Sequence, residues 1–148
     1  QGYDQIKNNR GVDLSPQARG YVKAALVALM RQEPWHIIGN SGEPAFNNNW
    51  VNYSPTYNPC SFYRDTLGTV HLRGLIKPSA GSTSGQIFLL PDGYRPPYQE
   101  LRINWGYTAG NYAGVRIDVL ANGSVSYQGP PATIDGWACL DGISFRAA

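Results

Sequence analysis

Leu89-Leu90-Pro91-Asp92-Gly93-Tyr94-Arg95-Pro96 is a strand that runs into a turn able to lock itself. Ile87 and Leu89 give the apolar strand its alternation. Pro91 fixes φ and removes a ladder donor, Asp92-Gly93 supplies a turn with a positive φ expected at Gly93, and Pro96-Pro97 ends regular structure. Tyr94 and Arg95 are therefore held on a stiff bend, where a ring and a guanidinium can tie neighbouring strands or subunits together. The stretch specifies a rigid corner in a β protein and carries no chemistry of its own.

Working outward, hydrophobic period two recurs from residue 35 onward. Candidate strands are 36–38, 60–64, 69–76, 86–90, 101–105, 113–120, 124–128 and 137–145. Turn signals separate them at 40–42, 66–68, 78–85, 122–123 and 129–131, and Asn122-Gly123 is a strong two-residue hairpin signal. Val70, Leu72 and Gly74 fall on one face of their strand and His71, Arg73 and Leu75 on the other, as in a sheet covered on one side. Short strands at this spacing predict a mainly β protein, an antiparallel sandwich or jelly-roll-like knob spanning 35–148.

The N-terminal part differs. Residues 1–14 are polar and irregular. Ser15-Pro16 is a helix start, with Ser as N-cap and Pro at the first helical position, and Pro34 a stop, so a helix is expected over about 16–32. Its apolar residues (Tyr21, Val22, Ala25, Leu26, Ala28, Leu29) cover more than one face, so it must pack on its own domain or on copies of itself. Residues 1–34 read as a stalk or linker.

Composition agrees with short strands and tight turns: 148 residues hold 17 Gly, 11 Pro, 10 Tyr and 4 Trp, with charged residues at only 15%. A chain of this length buries about 70% of its unfolded surface and holds a core without staples. A net charge of +2 with no basic run gives no nucleic-acid footprint. No apolar stretch is long enough to span a membrane. The chain begins at Gln1 and reads as a piece of something longer.

No catalytic set emerges. Asp65, Asp92, Asp135 and Asp141 sit in turns, where Asx side chains bond backbone donors. Asp118, between Ile117 and Val119, is expected to point away from the core toward Arg116 or a neighbouring strand. His36 and His71 lack the spacing of a metal site, and no nucleophile motif occurs, so neither a metal nor a cofactor is expected. His71 is expected to face a hydrogen-bonding partner or an interface.

Aromatic residues carry the binding signal. Tyr98, Trp105, Tyr107, Asn111 and Tyr112 are the candidate glycan contacts: rings stack on the apolar faces of sugars while amides bond hydroxyls. Residues 106–112 are expected to form a loop. The competing reading makes the tyrosines cover for a strand edge, and for Trp105 a core position is favoured. A second candidate surface holds Asn47, Asn48, Asn49, Asn52, Tyr53, Tyr57 and Asn58, with a merely solvated loop as the favoured reading.

Taken in order, Trp35, Pro44-Ala45-Phe46 and Trp50, the run Phe62-Tyr63-Arg64-Asp65 through Gly74, the Leu90-Pro91-Asp92-Gly93-Tyr94-Arg95-Pro96 corner and the closing Leu140-Asp141-Gly142-Ile143-Ser144-Phe145 resemble a C-terminal module of bacteriophage tail fibres, tailspikes and receptor-binding proteins. The likeness covers roughly residues 35–148. It implies a homotrimer at a tail-fibre tip that adsorbs to a bacterial surface polysaccharide or teichoic acid without covalent chemistry. The N-terminal part would then join other tail or baseplate proteins, with no membrane insertion. It makes Trp35, Phe46, Trp50 and Trp137 packing or interface residues. Two alternatives remain: a structural trimerisation knob, and a non-catalytic carbohydrate-binding module of a depolymerase. Residues 98–114 are richer in aromatics than the frame needs, and Cys60 and Cys139 stand where small or aliphatic residues are expected. Assembly in a reducing cytoplasm favours free thiols over a bridge.

Overall fold

A computed structural model describes residues 15–148, apart from the side chain of Ser82. The expectation for residues 1–14 lies outside the described residues. Two compact units divide at Gln32. In the first, helix α1 spans Pro16–Met30, with Pro16 at its start and the Ser15 hydroxyl accepting from the Ala18 N–H at 3.1 Å. It ends two residues before the expected limit, because Arg31 is already extended and its N–H turns back to the Ala28 carbonyl. None of its residues is buried.

The second unit, Glu33–Ala148, is built of two antiparallel sheets. The smaller contains β1 (His36–Ile37), β3 (Ser61–Arg64), β4 (Thr69–Arg73) and β11 (Ser144–Arg146), in the order β1-β3-β4-β11. The larger contains β2 (Trp50–Asn52), β5 (Leu75–Pro78), β6 (Ser82–Leu89), β7 (Glu100–Thr108), β8 (Asn111–Val119), β9 (Ser124–Thr133) and β10 (Trp137–Cys139), in the order β2-β5-β10-β7-β8-β9-β6. Phe62, Val70, Leu72 and Phe145 from the small sheet meet Ile76, Phe88, Val115, Ile117, Val119 and Ala138 from the large one in a single core. Phe62 stacks on Phe88 with centroids 6.1 Å apart. The expected β-sandwich is the fold.

Two expected strands are each divided, and for one reason: the chain changes sheets in their middle. The first breaks at Gly74, between β4 and β5. Gly74 has φ +119°, and a Cβ there would lie 2.6 Å from the Cys60 backbone, so only glycine fits. The second breaks at Asp141-Gly142, between β10 and β11. The two crossings are bonded to each other, Gly74 N–H to Asp141 Oδ1 at 2.7 Å and Leu140 N–H to the Gly74 carbonyl at 2.8 Å. Strand β2 was not foreseen, and β9 runs through the expected turn at 129–131. Irregular register between Gln86 and Phe88 lets the adjacent Ile87 and Phe88 both face inward.

The corner ties the sandwich together as expected. Gly93 has φ +87°. The Tyr94 hydroxyl donates to Glu33 at 2.9 Å and shares a contact with His36 at 3.2 Å, and its ring packs edge-on against Phe62. Burial, then the Glu33 bond, push the Tyr94 hydroxyl up to about 12. Arg95 Nε donates to the Leu90 carbonyl at 2.8 Å, its guanidinium meets Asp92 at 2.9 Å, and its carbonyl receives the Ala148 N–H.

Candidate binding surface

The expected loop at 106–112 is a continuous hairpin. Strand β7 runs to Thr108, β8 starts at Asn111, and only Ala109 and Gly110 turn, both at positive φ. Asn111 amide nitrogen bonds the Ala109 carbonyl across this turn at 3.2 Å, and Thr108 Oγ1 donates to the Pro131 carbonyl. Alternation therefore continues into the candidate site, and it decides which side chains are presented together.

Register places Trp137 opposite Tyr107 and Tyr107 opposite Tyr112, so the three side chains share one face of the large sheet. This is the outer face, because Gly106 and Ala138, paired beside them, point into the core. Two glycines permit such close strands. A Cβ on Gly106 would meet Val115 Cγ1 at 2.6 Å, and one on Gly136 would lie 2.0 Å from the Tyr107 carbonyl oxygen.

Five rings then follow one another. Tyr107 to Tyr112 is 5.1 Å between centroids, Tyr112 to Trp137 6.2 Å, Trp137 to Tyr53 6.4 Å, and Tyr53 to Tyr57 5.7 Å. The far end borders a groove of about 390 Å³ lined by Asn52, Tyr53, Ser54, Pro55, Tyr57 and Pro59. The two tyrosines of the second candidate surface thus continue the row of the first, and Trp137, read from sequence as a packing or interface residue, joins them. Its pairing with Tyr107 depends on a register that no local signal announces.

Trp105 is not in the core. It is 67% exposed, because it shares the outer face with Tyr107 two residues on. Leu101 and Ile103 continue that stripe. Tyr98 is 79% exposed and makes no ring contact among the described residues, so the structure does not bring it into the row. Three asparagines of the second surface are engaged within the fold, two of them with backbone groups. Asn47 Oδ1 accepts from Gln86, Asn48 Nδ2 donates to the Gln86 carbonyl, and Asn52 Oδ1 accepts from the Cys60 N–H.

The titratable groups pair among themselves. Asp118 turns to Arg116 in a two-bond fork at 2.9 and 2.8 Å and also accepts from Gln99, and the carboxylate raises the Arg116 guanidinium further. His71 meets Asp65 at 2.9 Å, the hydrogen-bonding partner expected for it, and that bond holds the Asp65 carboxyl below its usual range, helped by the Thr69 and Leu67 N–H groups. His36 lies 2.9 Å from Glu43. Cys60 and Cys139 are free thiols, both pushed up by burial. Among the described residues no three His, Cys, Asp or Glu side chains gather as metal ligands would.

The fold defines a class: a β-sandwich knob whose large sheet carries an aromatic outer face. Among solved structures it is similar to the receptor binding protein (gp15) of Listeria phage PSA, with a TM-score of 0.65 at 17% identity, over 99% of this chain and 83% of that one. No family model matches the chain, and no curated protein matches its sequence.

Proposed function

We propose that the chain is a phage receptor-binding domain that adsorbs to a host cell-surface glycan, a polysaccharide or teichoic acid, at a tail-fibre tip. The observation that carries this reading is the row Tyr107, Tyr112, Trp137, Tyr53, Tyr57, in which Tyr112 and Tyr57 remain largely open to solvent. Successive rings at this spacing offer stacking surfaces to successive units of an extended sugar chain, and adjoining hydroxyl and amide groups supply hydrogen bonds. The likeness to a phage receptor binding protein supports the same reading. Binding would proceed without covalent chemistry.

Self-association fits the helix. An isolated helix of 15 residues is marginal in water, and this one leaves Tyr21, Leu29 and Met30 exposed. Packed copies would cover them, and three copies on one fibre would raise weak single-site binding through effective concentration.

The test is adsorption of the purified protein to host cells. Tyr112→Ala combined with Tyr57→Ala should abolish cell binding while circular dichroism and the mass in solution stay unchanged. Unaltered adsorption would overturn the reading. One observation favours a second reading, a knob that only assembles copies: Leu101 and Ile103 are aliphatic and lie outward beside Trp105. Under that reading Ile103→Asp lowers the mass in solution and the tyrosine variants leave adsorption untouched.

A further inference from the structure

We propose a second saccharide site, independent of the aromatic row, on the outer face of the small sheet: a cleft that takes one neutral hexopyranose unit between Trp35, Tyr63, Arg73, Asn58 and Asp141. The cleft holds about 360 Å³. Its floor is built by register, with Tyr63 opposite His71 and Ser61 opposite Arg73. Trp35 stands edge-on to Tyr63 at 4.4 Å, and Tyr63 stacks on His71 at 4.8 Å.

The polar groups are fixed but not used up. Arg73 lies over the Trp35 ring, 3.9 Å from its centroid, and its Nε donates to Ser61 Oγ at 2.9 Å. Ser61 is fully buried and its hydroxyl donates to the Pro59 carbonyl, so the guanidinium plane is held from below. The two terminal nitrogens of Arg73 have no acceptor among the described residues, and the Asn58 side-chain amide has no partner there either. Asp141 is held in place by the Gly74 N–H.

A planar guanidinium, an amide and a carboxylate lining one cleft match the needs of a sugar ring, offering paired hydrogen bonds to adjacent hydroxyls. Charge selects among sugars. Arg73 and Asp141 both line the cleft and His71 is paired with Asp65, so the lining carries no excess positive charge to favour a phosphate or uronate. A fixed guanidinium also loses little freedom on binding.

The experiment is an NMR titration of the whole chain with the methyl glycosides of glucose, galactose, mannose, rhamnose and N-acetylglucosamine, and with glucuronate and glycerol phosphate. The Trp35 indole N–H, assigned with Trp35→Phe, and the Arg73 Nε–H are the reporters. At least one neutral glycoside should shift both saturably in the millimolar range. Asn58→Ala and Arg73→Gln, checked for native amide spectra, should each weaken it tenfold or more, and Tyr112→Ala should leave it unchanged. If Arg73→Gln fails to fold, Asn58→Ala alone decides. The proposal is overturned if no neutral glycoside shifts the reporters, if the shifts survive the cleft substitutions, or if only the anions bind. Because Tyr112→Ala tests the row and Asn58→Ala the cleft, either reading can fail alone.

Discussion

The Tyr94-Arg95 corner and the Tyr107–Tyr112 hairpin lie close in sequence and are both built from aromatic and polar residues, yet they do opposite things. At the corner the Tyr94 hydroxyl bonds Glu33 and the Arg95 guanidinium bonds Leu90 and Asp92. At the hairpin the rings touch mainly one another, and Tyr112 stays 72% exposed. Aromatic density alone does not separate a brace from an open surface. What separates them is whether the polar atoms and ring faces already have protein partners.

The sharpest way to break the contrast is at the corner's tightest point. A Cβ on Gly123 would lie 2.6 Å from both Arg95 Nε and the Leu90 carbonyl oxygen, at φ +96°. Gly123→Ala should therefore lower stability by about 3 kcal/mol, read from the urea midpoint. Next comes Tyr94→Phe, which takes the half-buried hydroxyl from Glu33 and should cost about 1 kcal/mol at neutral pH. Tyr94 has a raised pKa in the fold, so its contribution is complete below the unfolded value near 10 and is lost as pH rises toward the folded value of about 12. The phenylalanine variant should consequently show a flatter alkaline limb in thermal melts.

At the hairpin, Tyr112→Ala should change stability by no more than about 0.5 kcal/mol while cell binding falls. Equal losses at hairpin and corner would erase the distinction between them. The smallest effect belongs to Asp65. Its folded pKa is lowered, so its contribution is present above the unfolded value and disappears as pH falls through the folded one. Asp65→Asn should make melting temperature less dependent on pH below about 4, and an unchanged acid limb would remove the His71 contact from the account.

Much of the sandwich was legible because turn chemistry is local. Gly93 and Thr66-Leu67-Gly68 fall where their residues place them, and Asn122-Gly123 does turn the chain, though over three residues from Ala121 rather than two. The sheet changes at Gly74 and Gly142 were not, since a strand that crosses between sheets keeps its period. Strand β2 escaped notice because three residues after an asparagine run carry almost no periodic signal. Trp105 misled for a more useful reason. In β7 the apolar residues Leu101, Ile103 and Trp105 face out, while Arg102 and Asn104 face in and are bonded to the Ser144, Cys139 and Asp141 carbonyls. Pattern reading assigns the apolar parity to the core, so this strand reads inside out. An inverted strand in an otherwise regular sheet leaves an apolar stripe open to solvent, and only the register of its neighbours exposes it.

The hairpin that presents Tyr107 and Tyr112 turns on just two residues, Ala109 and Gly110, and the remaining rings of the row come from β10 and the segment after β2. On the proposed reading, retargeting such a domain to another host by grafting a loop, as is done with antibody scaffolds, would transplant at most two of the five rings. Under that reading, changes in host range should instead be written as single exchanges at outward strand positions, which leave the length of the chain untouched.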